Sequence, residues 1–236
     1  MSVIAIITAR GGSKRIPKKN IKDFYGKPML AYAIDAAKKT DIFDEIMVST
    51  DSLEIAEVAK KFGASVPFMR SAKTSDDYAT TYDVLEEVLA QYKDVGKAFD
   101  FVCCIYPCVP FLSSVTLSSA YKQMQKTKAN AIMPVCKYPV PIEWAMRLNE
   151  GYLYPDDASK QLIRSQDLNP AFFDAGMFYY CNIDIMLEKK TLVPPKTQGF
   201  IIDEQECQDI DTLDDWKIAE MKYQLLHIKD VNNDQR

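Results

Sequence analysis

The chain has 236 residues, of which 47% are hydrophobic and 26% charged, and its formal net charge is −4. These values are typical of an ordinary soluble globular protein with one sizeable α/β domain or two small ones. The acidic balance argues against a duplex-DNA binder, which would carry a broad basic face. Because the sequence has no apolar run of membrane-spanning length and no signal-type N-terminus, we expect a cytoplasmic protein without nucleic-acid or membrane partners.

A short β-branched run opens the chain and leads directly into a glycine-rich basic loop. The apolar residues 3–7 predict a strand that is buried on both faces. From Arg10 to Lys27 seven Lys or Arg residues stand against one acid, Asp23. Adjacent glycines let backbone N–H groups turn toward an anion. The segment therefore predicts a polyphosphate site, although a solvated loop or a nucleic-acid patch is the alternative. The dinucleotide and P-loop fingerprints are absent.

Strand and helix patterns alternate along the rest of the chain. The apolar runs predict strands at 45–49, 65–69, 101–106, 131–136, 177–181 and 200–203. Helical spacing predicts helices at 29–37, 53–62, 82–92, 114–127, 182–190 and 213 to about 226. The alternation predicts one α/β domain over residues 1–236, with a mostly parallel sheet sandwiched by helices.

Two features of these elements bear on a site. The strand at 101–106 is the most continuous apolar run, which places it at the centre of the sheet with its carboxyl end opening at Pro107. Ligands of open parallel sheets collect beyond such ends. The Ser-Thr-Asp sequence at 49–51 and Thr212 are predicted to cap the helices that follow them.

Residues 138–172 interrupt the alternation. This stretch has little periodicity, several prolines and aromatic residues that we expect to be exposed, such as Trp144, Tyr152 and Tyr154. Exposed aromatic patches mark interaction sites. We therefore interpret 138–172 as an inserted segment that packs on a second subunit or, alternatively, forms a lid over the active site.

The cysteine and histidine content excludes other chemistries. The six cysteines form no CxxC pair and no framework spacing, and the single histidine is His227. A structural zinc site is therefore not expected. A hydrolase with a catalytic histidine would need His227, in the polar last stretch of the chain, so that class is not expected either.

Two carboxylates precede the last predicted helix. Asp209 and Asp211 are two residues apart, so that in an extended backbone both side chains point to one face. Opposite bound phosphates, such a pair suits Mg²⁺. The alternative is that Asp211 and Asp215 only stabilise a helix N-terminus. Cations and a metal around a triphosphate would serve nucleotidyl transfer without any histidine.

Four stretches together resemble the cytidylyltransferases that activate nonulosonic acids. They are ARGGSKRIPKKN at 9–20, STD at 49–51, RSQD at 164–167 and DIDT at 209–212. The resemblance runs through nearly the whole chain. It implies a nucleotide-diphospho-sugar-transferase-like fold, CTP as co-substrate, Mg²⁺ as cofactor and a homodimer built through the inserted segment. The product would serve glycosylation of surface glycans or flagellin.

The resemblance also implies roles for individual residues. Around CTP it places Arg10, Gly12, Lys14, Lys19, Asn20, Arg70, Ala79 and Thr81. It makes Asp209 and Asp211 metal ligands, and Arg10, Lys19 and Asp211 catalytic. Around the sugar acid it places Tyr106, Glu143, Arg164, Gln166, Phe173 and Asp174.

The departures from the sialic-acid enzymes all lie on the sugar side. Their Gln-Pro-Thr-Ser-Pro becomes Tyr-Pro-Cys-Val-Pro at 106–110, a sugar-contacting lysine becomes Glu143, and their Arg-Pro-Asn-Gly becomes Phe-Asp-Ala-Gly at 173–176. A more apolar pocket suits a deoxy sugar, since a pocket built for hydroxyl groups loses affinity for each one left unpaired. Residues 138–141, 164–168 and 174–176 are most similar to the branch that activates pseudaminic acid.

Several alternatives stay open from the sequence. The acid could be sialic acid, legionaminic acid or Kdo, or the chain could be a sugar-1-phosphate nucleotidylyltransferase. A non-catalytic nucleotide- or RNA-binding module would use the same basic loop but would not need Asp209 or Asp211. The group that deprotonates the anomeric hydroxyl could belong to the metal site, or be Asp211 or Asp174.

Overall fold

The computed structural model describes residues 1–233, with side chains described as far as residue 226. The strands are β1 (Val3–Thr8), β2 (Asp23–Phe24), β3 (Lys27–Pro28), β4 (Glu45–Ser49), β5 (Phe101–Ile105), β6 (Ala131–Lys137), β7 (Met146–Asn149), β8 (Tyr152–Pro155), β9 (Phe172–Asp174), β10 (Phe178–Asn182) and β11 (Thr197–Ile201). The helices are α1 (Met29–Lys38), α2 (Leu53–Phe62), α3 (Thr81–Asp94), α4 (Ser114–Thr127), α5 (Ile183–Lys189) and α6 (Leu213–Asn233).

Seven strands form one twisted sheet in the order β11-β6-β10-β5-β1-β4, with β9 paired to β6. β1 lies parallel to both β4 and β5, whereas β10 runs antiparallel between β5 and β6. β11 is parallel to β6, and β9 is antiparallel to it. Five strands therefore share one direction, which confirms the predicted mostly parallel sheet. β2–β3 and β7–β8 form separate hairpins.

Helices cover both faces of the sheet, and β1 shows why. Ala5 and Ile7 pack in a cluster with residues of α1, α2 and α4, while Ile4 and Ile6 pack in a second cluster with residues of α3 and α5. All four side chains are fully buried. Burying a branched apolar side chain contributes roughly 1.5–3 kcal/mol, so this strand anchors both layers. The two-sided burial predicted from its unbroken apolar run is confirmed.

A third apolar cluster joins the two ends of the chain. Ile16 and Phe24 pack against Ile210 and Trp216, and the rings of Phe24 and Trp216 meet edge to face at 5.4 Å. The hydroxyl of Tyr25 donates to the carbonyl of Glu220 at 3.0 Å. The basic loop after β1 is thereby fastened to the segment that precedes α6.

Two of the predicted strands differ from the structure. The strand predicted at 65–69 is wrong: only Ser65 makes a bridge, to Met47. Pro67 has no N–H to continue a ladder. The last strand lies at Thr197–Ile201 instead of 200–203, because Asp203 turns the chain by accepting a hydrogen bond from the N–H of Gln205 at 2.8 Å.

The helix caps are partly as predicted. The helix α2 is capped by Ser52, whose hydroxyl accepts from the N–H of Ile55, so the predicted cap at 49–51 is wrong. Thr212 does cap α6: its hydroxyl accepts from the N–H of Asp215 at 3.2 Å. α6 continues to Asn233, beyond the predicted end near 226.

The inserted segment holds short strands that the sequence pattern did not predict. The hairpin β7–β8 is exposed along its whole length, and β9 returns to the main sheet beside β6. Trp144, Tyr152 and Tyr154 are exposed, as expected. Within the described part of the chain, no helix is both long and apolar enough to cross a bilayer.

Candidate active site

A cleft of about 430 Å³ opens at the carboxyl ends of β1 and β5, and we call it the basic cleft. Its lining comes from the loop after β1, from one residue each of two other loops and from the segment before α6. The lining residues are Thr8, Arg10, Ser13, Lys14, Arg15, Lys19, Asn20, Asp77, Pro107 and Asp211. The basic loop thus sits where ligands of parallel sheets bind.

Hydrogen bonds to the backbone fix the shape of the loop. The N–H of Gly11 donates to Asp51 at 2.7 Å, and the amide of Asn20 donates to the carbonyl of Arg10 at 2.9 Å. The Cys108 thiol donates to the other side of the Asn20 amide at 3.3 Å. A Cβ atom in place of Gly11 would lie 3.1 Å from Cβ of Ser52, a tight contact that favours glycine at this position. Asn20 therefore holds the loop from within.

The described cysteines add no reactive thiol to the basic cleft. Five of the six free cysteines are buried, and Cys108 is partly buried behind the loop. Burial raises the pKa of the Cys108 thiol to about 12, so that it stays protonated. The side chain of His227 lies outside the described residues.

The two ends of the chain meet in the basic cleft. Nζ of Lys19 donates to the carbonyl of Ile210 at 2.6 Å and lies 3.4 Å from Oδ1 of Asp211. Nη2 of Arg15 lies 2.8 Å from Oδ2 of the same carboxylate. A cationic loop and an acidic segment about 190 residues apart in sequence therefore form one site, as the sequence interpretation requires.

Asp77 is a charged residue of this cleft that sequence reasoning missed. Its carboxylate lies 2.9 Å from Nη1 of Arg10 and 2.6 Å from Nζ of Lys14. The hydrogen bond from Lys14, followed by that from Arg10, lowers the pKa of Asp77. The only signal was its place in a polar, turn-rich stretch. Gly12, by contrast, lies exposed at the loop tip, outside the lining.

The carboxylates of Asp209 and Asp211 lie within electrostatic reach of each other. Burial raises the pKa of Asp209, and the negative charge of Asp211 raises it further. The described residues contain no group of three or more side chains that could hold a metal ion alone. Mg²⁺ takes one or two protein carboxylates and completes its shell with phosphate and water oxygens. Asp211 lines the basic cleft and Asp209 does not, but the two carboxylates interact, so the pair fits that requirement.

A second cleft of about 230 Å³, the middle cleft, shares Thr8, Arg10 and Asp77 with the basic cleft. It brings together the predicted residues Arg70, Ala79 and Thr81. Its other lining residues are Thr74, Asp76, Thr80, Val84 and Tyr106. The guanidinium of Arg70 donates to the hydroxyl and the carbonyl of Ser49 at 3.0 and 2.7 Å. Burial lowers the pKa of Arg70.

A third cleft of about 320 Å³, the outer cleft, shares Thr80, Thr81 and Tyr106 with the middle one. Its other lining residues are Tyr82, Asp174, Tyr179, Lys190, Thr191, Leu192 and Val193.

Four side chains of the outer cleft form a polar chain. The hydroxyls of Thr81 and Tyr106 are 3.1 Å apart, and the Tyr106 and Tyr179 rings meet at 5.7 Å. The Tyr179 hydroxyl donates to Asp174, which also accepts from the N–H of Gly176 at 2.8 Å. Sequence reasoning missed Tyr179, which looked like an ordinary strand residue.

The remaining predicted sugar contacts line none of these three clefts. Arg164 is exposed and pairs with Asp167 at 2.8 Å. Gln166 lines a separate cavity of about 440 Å³ between residues 137–141 and 165–171. Phe173 packs on Tyr138 with ring centres 5.0 Å apart. In Glu143, Oε2 is buried without a hydrogen-bond partner among the described residues. One chain alone does not bring these four side chains to the clefts, and their role stays a prediction.

Comparisons with known proteins agree with this arrangement. The family model for cytidylyltransferases matches residues 4–219. The chain is 38% identical over 228 residues to the pseudaminic acid cytidylyltransferase of Campylobacter jejuni, covering 96% of this chain and 98% of that protein. It is 30% identical to the CMP-N,N'-diacetyllegionaminic acid synthase of Legionella pneumophila, covering 95% and 97%.

A solved structure supports the fold. The structure of CMP:2-keto-3-deoxy-manno-octonic acid synthetase complexed with CTP matches with a TM-score of 0.68 at 16% identity, covering 94% of this chain and 98% of that one. The predicted nucleotide-diphospho-sugar-transferase-like fold is thereby confirmed. Because the family model and the Campylobacter enzyme both match nearly the whole chain, the chain belongs to the cytidylyltransferase family.

Proposed function

We propose that this enzyme transfers CMP from CTP to pseudaminic acid and releases pyrophosphate. The observation that carries the proposal is the meeting of the basic loop with Asp211, through Lys19 at 3.4 Å and Arg15 at 2.8 Å. Pseudaminic acid is favoured over legionaminic acid because the chain is 38% identical to the pseudaminic acid enzyme and 30% identical to the legionaminic acid enzyme. The product would serve glycosylation of surface glycans or flagellin.

The basic cleft would hold the triphosphate. Arg10, Lys14 and Lys19 converge there, and charge-assisted hydrogen bonds to phosphate are the strong ones. As the anomeric hydroxyl of the sugar acid attacks the α-phosphorus in line and pyrophosphate leaves, negative charge grows on the phosphoryl oxygens. Cations already in position stabilise that charge without reorganising. Lys19 is the best placed, since the carbonyl of Ile210 fixes its Nζ at 2.6 Å.

Asp209 and Asp211 would hold Mg²⁺, which supplies Lewis-acid stabilisation of several kcal/mol to phosphoryl oxygens. The support is the raised pKa of Asp209, which comes from burial and from the charge of Asp211. A group buried beside a like charge is unfavourable unless a cation offsets it. Asp211 lines the basic cleft, so a cation held by this pair would lie next to the phosphates.

The middle cleft would hold the nucleoside, with Arg70, Ala79 and Thr81 around it, and the outer cleft the sugar acid. Tyr106 lies between the two, so it would contact both substrates. Asp174 lines the outer cleft, but its two oxygens already accept from Gly176 and Tyr179. It would therefore serve as a fixed hydrogen-bond acceptor better than as the base.

The proposal includes a homodimer formed through the inserted segment. Apolar side chains stand exposed along that segment, among them Leu148, Tyr152, Leu153 and Leu162. Exposed apolar patches of this kind mark protein interfaces. A neighbouring copy would explain how Glu143, Arg164 and Gln166, which lie outside the three clefts of one chain, could take part in binding the sugar acid.

The test is a pyrophosphate-release assay with CTP, Mg²⁺ and a panel of nonulosonic acids. We expect turnover with pseudaminic acid, and little with sialic acid, legionaminic acid or Kdo. Preference for one of those acids would move the proposal to that substrate. A clear preference for UTP or GTP would favour a sugar-1-phosphate nucleotidylyltransferase. Nucleotide binding without turnover on any acid would favour a binding module.

A further inference from the structure

Each carboxylate of the basic cleft pairs with two cations. Four cationic side chains and two carboxylates line it, which leaves a net formal charge of +2. Asp77 pairs with Arg10 and Lys14, and Asp211 pairs with Arg15 and Lys19. Every cation that would hold a triphosphate is therefore paired with a carboxylate of the same cleft.

The two partners of Asp211 differ in exposure and in the number of contacts that hold them. Lys19 is only 20% exposed, and its ammonium group also donates to the carbonyl of Ile210. Arg15 is 65% exposed and reaches Oδ2 of Asp211 from the rim of the cleft. A long, exposed side chain can change partners at little cost, since exposed ion pairs contribute little to stability. Arg15 is the partner that can leave.

Arg15 also has the right chemistry for a phosphate. Its planar guanidinium presents a fork of donors that fits a phosphate with two parallel hydrogen bonds. It lines the same cleft as Arg10, Lys14 and Lys19, which the proposed function assigns to the triphosphate. The resemblance to known enzymes assigned no role to it.

We infer that Arg15 is a phosphate-binding residue that occupies Asp211 until a divalent cation arrives with the nucleotide. The inference rests on the proposed function. Asp211 would hold the cation with the oxygen that now pairs with Arg15, and the guanidinium would then be free to bind the phosphates. Arg15 thus opposes binding of the metal alone and favours binding of metal and nucleotide together. Such an exchange makes the affinity for each ligand depend on the other, which is measured as a coupling free energy.

The test is Arg15→Gln, with two binding measurements that should move in opposite directions. Free Mn²⁺ is measured by electron paramagnetic resonance as it is titrated with nucleotide-free protein. We expect R15Q to bind Mn²⁺ roughly two- to fivefold more tightly, because the competing ion pair is gone. CTP binding in the presence of Mg²⁺, measured by calorimetry, should weaken roughly tenfold, because a charge-assisted hydrogen bond is lost.

Lys18→Gln is the matched control. Lys18 belongs to the same loop, has the same charge and is 67% exposed, but it pairs with Glu54 and does not line the cleft. K18Q should leave both affinities close to those of the wild type. Equal Mn²⁺ binding by wild type and R15Q, including none by either, would overturn the exchange. So would equal weakening of CTP binding in R15Q and K18Q, which would indicate only the net charge.

These measurements need no sugar acid, so their outcome is separate from that of the turnover assay. If no nonulosonic acid is turned over but R15Q shows the opposite shifts, the proposed acceptor is wrong and the exchange stands. If pseudaminic acid is turned over and R15Q behaves like K18Q, the function stands and the exchange is wrong.

Discussion

Asp211 and Asp215 are only four residues apart at the start of α6, yet their carboxylates have different surroundings. Oδ2 of Asp215 accepts from the N–H of Thr212 at 2.7 Å and from its hydroxyl at 2.8 Å. Asp211 contributes only its N–H to this cap, and its carboxylate faces Arg15 and Lys19. The alternative that both acids merely stabilise a helix N-terminus therefore holds for Asp215, and Asp211 is left to the cleft.

This difference predicts the behaviour of Asp211→Asn. The amide keeps the size of the side chain but removes the charge that a divalent cation needs. We expect the variant to fold and to bind CTP, and to lose turnover by at least about a hundredfold, as expected when several kcal/mol of charge stabilisation is lost. Circular dichroism, CTP calorimetry and the pyrophosphate assay measure the three properties. Full activity would leave the metal assignment of Asp211 without support.

Asp215→Asn is the control, and it should change stability instead of turnover. Turnover should persist, while the free energy of unfolding at pH 7 falls by up to about 1 kcal/mol, since a charge at a helix N-terminus is lost. The hydrogen bond from the Thr212 hydroxyl, followed by that from its N–H, lowers the pKa of Asp215 in the folded state. The stability difference should thus be fully present above the ordinary Asp pKa of about 3.9 and disappear as the pH falls through the lowered value. Denaturation at pH 7 and at a series of pH values below about 3.9 follows the loss of this difference.

Asp77 gives a second prediction from a single carboxylate. It holds Arg10 and Lys14 in the nucleotide-free cleft, so CTP must compete with it. Asp77→Asn should tighten CTP binding roughly two- to fivefold, in line with the small contribution of an exposed ion pair. Asp156→Asn is the matched control, because Asp156 is an exposed carboxylate paired with Arg147 next to the hairpin β7–β8. Calorimetry that shows the same change in both variants would contradict the competition.

Most elements of the fold could be predicted from local patterns, and the misses have physical causes. Apolar runs and helical spacing indicated six of the seven main-sheet strands and all six helices, and the largest error in position was the end of α6, predicted near 226 and found at Asn233. The pattern could not show that β10 runs antiparallel to β5, since a strand buried on both faces reads the same in either direction. β9 and the hairpin β7–β8 were missed because their strands are only three or four residues long, too short for a pattern to stand out.

The site divides in the same way. Arg10, Lys14, Lys19 and Asp211 could be predicted because charge and glycine content stand out against an acidic chain. Asp77, Arg15 and Tyr179 could not, because their importance comes from partners distant in sequence: Arg15 meets Asp211, and Tyr179 meets Tyr106. Local sequence does not show which residues such contacts will join.

The strand β10 carries the next prediction, since it presents Tyr179 to the outer cleft. Burial raises the pKa of Tyr179, and its hydrogen bond to Asp174 raises it further, so the hydroxyl stays a donor. Tyr179→Phe leaves Asp174 without that donor. We expect KM for the sugar acid to rise roughly tenfold, with KM for CTP and the fold unchanged, because a hydrogen bond to a carboxylate is lost. Steady-state kinetics with each substrate varied in turn measures the split.

The neighbouring residue provides the control. Tyr180 points to the opposite face of the sheet. Its buried hydroxyl lies near the Cys103 thiol and makes no hydrogen bond of normal geometry to the described residues. Tyr180→Phe removes the same atom from the same strand and should leave both KM values unchanged. A rise in KM for the acid in Y180F would assign the effect to the packing of β10 and not to Asp174.

Exposed apolar residues are unevenly distributed over the surface of the molecule. The sheet and its helices bury their apolar residues in three clusters, whereas the inserted segment leaves its own exposed. Four predicted sugar contacts lie on or beside that segment, outside the three clefts. A second copy packed on the segment would account for both the exposed apolar residues and the distant sugar contacts.

The hairpin β7–β8 allows a direct test of this homodimer. Leu148 and Leu153 are cross-strand partners that are 71% and 65% exposed. Replacing both with Lys puts two like charges into the proposed interface, which costs several kcal/mol when they are buried without partners. We expect light scattering after size exclusion to show a dimer for the wild type and a monomer for L148K/L153K. Val115→Lys, at a residue of α4 that is 72% exposed, should stay dimeric.

If the partner completes the sugar site, the monomer should still bind CTP but show a higher KM for the acid. A wild-type monomer, or a double variant that remains dimeric, would remove the inserted segment from the interface and leave its exposed leucines unexplained.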